Sequence, residues 1–203
     1  LLPLRPDEDT IVAIILHDLF VLSLISEDTV KDNFGPQVLE ILNSLRRIYG
    51  LKYAENDKGA QVEVLRKMFM TLAKDIRVIL IWLAHRLSSM QNIIQTMSAG
   101  DSYNFAKETM NVYVPIASRL GVYRIKTQLE DLAFKYLHPE EYKIVSERVE
   151  KFGKGKKSVV EQIRFKVEDF LADKSIKAKI SGRFKNVYSI YRKMQKKNWG
   201  GLD

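Results

Sequence analysis

The sequence predicts a mostly α-helical protein that changes to a mixed strand-and-helix architecture only near its end. Apolar residues recur at helical spacing through residues 1–173. Capping residues and Gly or Pro breaks divide these runs into lengths ordinary for helices. Period-two alternation, the mark of a strand, occurs in Ser175-Ile176-Lys177-Ala178-Lys179-Ile180-Ser181.

The elements follow in order. Asp9 or Thr10 caps a first helix carrying Ile11, Val12, Ile14, Ile15, Leu16 and Leu19. Ser26-Glu27-Asp28 opens a second, with acids in the first turn where the helix dipole favours them. Gly35-Pro36 breaks the chain, and Val38, Leu39, Ile41, Leu42 and Leu45 begin a third helix. Residues 50–60 are polar and read as a loop; 62–74 and 76–97 read as helices. The second of these is apolar nearly all round from Val78 to Leu83, which makes it central and buried.

Ser98-Ala99-Gly100-Asp101 is a stop and a new cap. The helix after it, 102–119, contains Pro115, which should kink it or mark its last turns. Gly121 is a C-cap, and Val122, Ile125, Leu129, Leu132, Ala133 and Tyr136 form one face of the next helix. His138-Pro139-Glu140-Glu141 ends that helix and starts another. Residues 153–157 form a flexible basic loop before a helix over 157–173. The strand 175–181 then leads through Gly182 into a helix reaching Lys197. A lone strand needs partners, so the sequence reads as a fragment cut near the start of a second domain.

Of the 203 residues 46% are apolar, enough for a sizeable core and against wholesale disorder. The lack of cysteine excludes a disulfide scaffold, a thiolate zinc site and a cysteine nucleophile, and it is compatible with a reducing cytoplasm. The apolar stretch Val78 to Ala84 is far shorter than the roughly 20 residues that span a bilayer, so no membrane association is expected. The Pro-broken start is not a secretory signal.

Charge is unevenly placed. Residues 1–140 carry 16 Lys and Arg against 17 Asp and Glu, a net of −1, while residues 141–203 carry 17 against 8, a net of +9. A neutral body with a basic end points either to contact with phosphate or to a solvated lysine-rich face.

Three motifs bear chemistry. His17-Asp18 puts an imidazole and a carboxylate side by side, a pair that one divalent metal can take. Such pairs also arise by chance, and His85 and His138 read as partly buried polar residues, His138 as part of a helix break. Gly155-Lys156-Lys157-Ser158 lacks the spacing and the preceding strand of a phosphate loop. The better phosphate site is Gly182 to Lys193, where a turn enters a helix whose N-terminal region carries Arg and Lys. A basic solvated face is the alternative there, and Tyr188 and Tyr191 read as packing residues rather than base-stacking ones.

Residues 108–145 (ETMNVYVPIASRLGVYRIKTQLEDLAFKYLHPEEYKIV) and 180–197 (ISGRFKNVYSIYRKMQKK) resemble the RelA/SpoT homologue family, which synthesises and hydrolyses the alarmones guanosine tetra- and pentaphosphate, (p)ppGpp. Leu72 to Ile81 and Leu83 to Leu87 match the core helices of its hydrolase domain, and Asp9 to Gly35 matches without a gap. The resemblance implies an HD-type (pseudo)hydrolase domain over 1–140, a helical connector over 141–174, and over 175–203 the first strand and helix of a nucleotidyltransferase-like synthetase domain.

The departures from the family pattern bear on mechanism. Hydrolysing members follow the His-Asp pair with two acids on the same helix, and here those positions are Val21 and Leu22. The family's later metal-binding Asp is His85, and the Asn a few residues on is Ser89. The resemblance therefore implies a catalytically degenerate hydrolase domain in which His17 and Asp18 are vestigial metal ligands, as in members that only synthesise. In the synthetase motif Phe184 and Asn186 replace Pro and His, while Arg183, Lys185 and Ser189 remain as the nucleotide phosphate edge, with Arg192 and Lys193 adding charge. The whole protein is then expected to be a cytoplasmic GTP pyrophosphokinase of the stringent response. It would transfer pyrophosphate from ATP to GTP or GDP with Mg²⁺, and meet the ribosome through regions outside this chain. A weakly active, metal-dependent (p)ppGpp pyrophosphohydrolase using Mn²⁺ is the alternative, and a basic RNA-binding module is a third reading.

Overall fold

The computed structural model describes residues 6–49, 75–92, 94–153, 156–180 and 185–197. Their order is α1 (Glu8–Val21), α2 (Glu27–Phe34), α3 (Pro36–Tyr49), α4 (Ile76–Asn92), a 3₁₀ turn (Ile94–Thr96), α5 (Ala99–Glu108), a π-helical segment (Thr109–Tyr113), α6 (Val114–Arg119), α7 (Tyr123–Leu137), α8 (Pro139–Gly153), α9 (Lys156–Asp173) and α10 (Val187–Lys196). The mostly α expectation holds: no strand occurs among the described residues. The chain divides into two compact units, Leu1–Ser88 and Ser89–Asp203, with α4 running through the division.

In the first unit α1 and α2 pack on α3. Helix α1 buries Thr10, Ala13, Leu16, His17 and Phe20, a stripe at three- and four-residue spacing. Its other side leaves Ile11, Ile15 and Leu19 exposed. Helix α3 contributes Val38, Ile41, Leu42, Leu45 and Ile48 to the core, and α4 contributes Val78, Ile79, Ile81, Trp82 and Leu83. The expected cap of α1 moves upstream. Asp7 is the N-cap, and Thr10 sits three residues inside, where its amide (2.9 Å) and its hydroxyl both donate to Asp7 Oδ1. Asp7 Oδ2 also accepts from Arg77 Nη1 at 2.8 Å, which ties the start of α1 to the start of α4. Ser26 caps α2 as expected, accepting from the Thr29 amide at 3.1 Å. Gly35 ends it at φ +90°, a conformation that a side chain would strain, immediately before Pro36 opens α3.

In the second unit the helix expected over 102–119 is three pieces. Ser98 accepts from the Asp101 amide, so α5 begins at Ala99, and α4 stops at Asn92 rather than 97. Pro115 has no N–H to give and would clash with the carbonyl four residues back. The wide turn ahead of it, closed by Val114 N–H on the Thr109 carbonyl, shifts the hydrogen-bond register before the proline is reached. Gly121, at φ +70°, closes α6, and α7 follows. Helices α7, α8 and α10 pack together around Leu129, Ala133, Phe134 and Val145.

Residues 176–180 run without regular structure, and 181–184 lie outside the described residues; a strand exists only through pairing, and no paired strand occurs among the described residues. The last helix starts at Val187, not Gly182. The loop over 50–60 and the helix over 62–74 also lie outside the described residues. Among the described residues no helix is long and apolar enough to cross a membrane.

Candidate functional site

The buried stripe of α1 carries His17 into the first unit, where the residue is only 4% exposed, while its neighbour Asp18 turns outward at 74%. Helix α4 brings His85 to the same place from 67 residues further along. His17 Nδ1 lies 2.9 Å from Asp18 Oδ1, and His85 Nε2 lies 3.4 Å from that same oxygen. The two imidazoles approach to 4.9 Å between centroids, and Tyr49, at the end of α3, packs against both, at 4.8 Å from His17 and edge-on at 5.6 Å from His85. A cavity of about 280 Å³ opens over the group, floored by His17, Asp18 and His85 and walled by Ile14, Ile81 and Ser88.

Burial pushes the His17 pKa below its usual value; the hydrogen bond and charge of Asp18 work against this, and His85 adds to it. His17 is therefore neutral near pH 7. With Nδ1–H donating to Asp18, Nε2 carries the lone pair, and Nε2 is buried without a hydrogen-bond partner. An unsatisfied buried acceptor beside a carboxylate and a second imidazole fits a metal cation. One ligand atom from each of His17, Asp18 and His85 lies within 4.8 Å of the others. Ligands about 2.0–2.2 Å from one ion are at most about 4.3 Å apart, so a small side-chain adjustment closes the set. Two imidazole nitrogens and one carboxylate suit a borderline first-row divalent ion. Among the described residues this is the one such group.

Among the described residues no second carboxylate joins the group. Val21, one helical turn after His17 and Asp18, is half-buried, and Leu22, 67% exposed, is the C-cap of α1. Neither lines the cavity, so neither blocks it. Ser89 is buried and belongs to the second unit. Tyr49 and Ser88 escaped sequence reading: nothing in a lone tyrosine marks an imidazole neighbour, although Ser88 stands three residues after His85, on one helix face.

The basic site is arranged differently. Arg183 lies outside the described residues. Lys185, Arg192 and Lys193 are exposed, and Ser189 is half-buried on α10. The Arg192 guanidinium sits 5.9 Å from the Tyr188 ring centre. At the N-terminus of α10 the Tyr188 N–H is already taken, by Asp131 of α7 at 2.8 Å. Tyr188 and Tyr191 pack on Phe134, Tyr191 stacking at 4.5 Å, as their helical spacing suggests.

A family model described as an HD domain matches residues 1–123. The chain belongs to the HD domain family. Over 95% of its length it is 35% identical to a GTP pyrophosphokinase of Myxococcus xanthus, of which it covers 26%. It is likewise 35% identical to the bifunctional (p)ppGpp synthase/hydrolase SpoT of Escherichia coli K12, covering 94% of this chain and 27% of that protein. With the GTP pyrophosphokinase of the same organism it shares 30% identity over 96% of its length, again covering 27%. These relatives are RelA/SpoT family members, one named as both synthase and hydrolase of (p)ppGpp and two as GTP pyrophosphokinases, and the chain spans about a quarter of their length.

Proposed function

We propose that this chain is the N-terminal part of an alarmone synthetase, a GTP pyrophosphokinase, and that its HD domain (1–140) no longer hydrolyses (p)ppGpp but regulates the synthetase that follows the connector (141–174). The supporting observation is chemical. Hydrolysis of a pyrophosphate ester at a metal needs a positioned base for the water. The two positions that would carry it, at the end of α1, are Val21 and Leu22, beside ligands that otherwise converge. In the whole protein Arg183, Lys185 and Ser189, with Arg192 and Lys193, would neutralise phosphate charge as Mg²⁺ assists in-line transfer from ATP to GTP or GDP.

The convergence of His17, Asp18 and His85 favours a second reading, a weak metal-dependent pyrophosphohydrolase. One pair of assays separates the two. The intact protein with ATP, GTP and Mg²⁺ should form guanosine pentaphosphate, and with guanosine tetraphosphate and Mn²⁺ should release no pyrophosphate. Failure to synthesise would remove the first reading, and EDTA-sensitive release would establish the second.

A further inference from the structure

Helix α10 has an unusual beginning. Its N-cap, Asn186, makes no side-chain hydrogen bond to its own helix. The Asn186 amide instead donates across to α7, to Asp131 Oδ1 at 3.0 Å and to the Thr127 carbonyl at 3.3 Å. The same Asp131 oxygen accepts the Tyr188 N–H at 2.8 Å, and the Val187 N–H also reaches this carboxylate. The cap that a helix ordinarily finds within three residues thus comes from a residue 57 positions earlier. One turn further along α7, the fully buried Phe134 stacks on Tyr191 at 4.5 Å and meets Tyr188 at 5.4 Å.

We propose that Asp131 is a positioning residue for the nucleotide phosphate edge, holding α10 at a fixed height and rotation so that Lys185 and Ser189 stand where phosphate is received. The inference rests on the reading of that edge given above. Two attachments three residues apart on α7, a carboxylate and a ring, meet two sites three residues apart on α10. Together with the packing of α10 on α8, these two contacts oppose both sliding and rotation. The attachment faces α7, and Lys185, Arg192 and Lys193 stay exposed. Burial pushes the Asp131 carboxyl up, and the hydrogen bonds from Tyr188, Asn186 and Val187 offset part of this. The capping oxygen, rather than the charge, is what α10 uses, so asparagine at 131 preserves the function and leucine abolishes it.

The test uses the intact protein and pyrophosphate transfer between ATP and GTP, with KM for each nucleotide separated from kcat and the unfolding temperature recorded beside them. Asp131→Leu should raise KM for one nucleotide about tenfold with kcat changed less than about threefold, as expected when binding alone is lost. Asp131→Asn should restore KM to near wild type. Wild-type KM in Asp131→Leu, or equal impairment in Asp131→Leu and Asp131→Asn, overturns the proposal. If Asp131→Leu does not fold, Asn186→Ala, which keeps the Tyr188 cap, decides it: a raised KM supports positioning and an unchanged one overturns it. Lys185→Ala separates the two levels. If it leaves both KM values unchanged the edge itself is misassigned, whereas a raised KM there with none in Asp131→Leu removes only the role of Asp131.

Discussion

His17 and His85 lie 68 residues apart on two helices and hold one carboxylate oxygen, Asp18 Oδ1, between them at 2.9 and 3.4 Å. The Nε2 of His17 is left buried and without a hydrogen-bond partner. An arrangement that keeps a neutral imidazole with an unused lone pair next to a carboxylate is built to receive a cation, whatever follows chemically.

A divalent metal should therefore stabilise the protein. Zn²⁺ at about 100 times its dissociation constant adds about 2.7 kcal/mol to the unfolding free energy. Thermal unfolding with and without Zn²⁺ checks this, and His85→Ala should lose the shift while keeping the fold. An identical shift in wild type and His85→Ala would mean that the ion binds elsewhere.

Restoring the missing acids should restore chemistry. The double substitution Val21→Glu and Leu22→Asp places carboxylates one turn beyond the ligands and should give metal-dependent release of pyrophosphate from guanosine tetraphosphate. New negative charge at the end of α1 opposes the helix dipole and should cost about 0.3–1 kcal/mol per residue. No release from a folded, metal-loaded double variant would show that more than these two groups has been lost.

The stability of α1 rests on Phe20, which is buried beneath the Arg46 guanidinium at 4.8 Å. Phe20→Ala should cost about 3–5 kcal/mol, since the surrounding core relaxes only partly around the cavity. Denaturant unfolding measures it. A loss below 1 kcal/mol would place Phe20 outside the cooperative core.

Acid should act through the Asp7, Asp75 and Arg77 cluster. Hydrogen bonds from the Thr10 hydroxyl and amide, with Arg77 adding to them, hold the Asp7 carboxyl below its usual 3.8. Burial pushes Asp75 up, but the hydrogen bonds and charge of Arg77 outweigh it and hold that carboxyl below 3.8 as well. Because both folded values are depressed, the stabilisation is fully present above 3.8 and is lost as the pH falls through the lower folded values. Asp75→Asn should flatten the stability profile below pH 4 and leave the fold at pH 7 intact. An unchanged acid limb would assign the loss to other carboxylates.

The parts legible in the sequence were those set by local chemistry. Ser26, Gly35, Gly121 and Pro139 punctuate helices because their side chains or φ preferences act within a few residues. The Tyr188 and Tyr191 pair was readable for the same reason: two aromatics three apart share a face. Pro115 announced a disturbance, but whether a kink or a π turn absorbs it depends on the register of the preceding carbonyls. Long-range partners were not legible. That Asp131 would take the α10 N–H groups expected to face phosphate follows from the packing of α7 on α10, and nothing in Leu129-Glu130-Asp131-Leu132 states it. His85 reads as a substituted position only against the family pattern; its approach to His17 is a property of the folded helices.

The most direct test of a degenerate HD domain is the release of pyrophosphate from guanosine tetraphosphate by this chain, assayed with Mn²⁺, with Zn²⁺ and with EDTA. The expected result is no metal-dependent release under any of the three conditions, even where unfolding shifts show that the ion is bound. Release that EDTA abolishes, and that Asp18→Asn also removes, would contradict it and make the His17, Asp18 and His85 group a working hydrolytic centre.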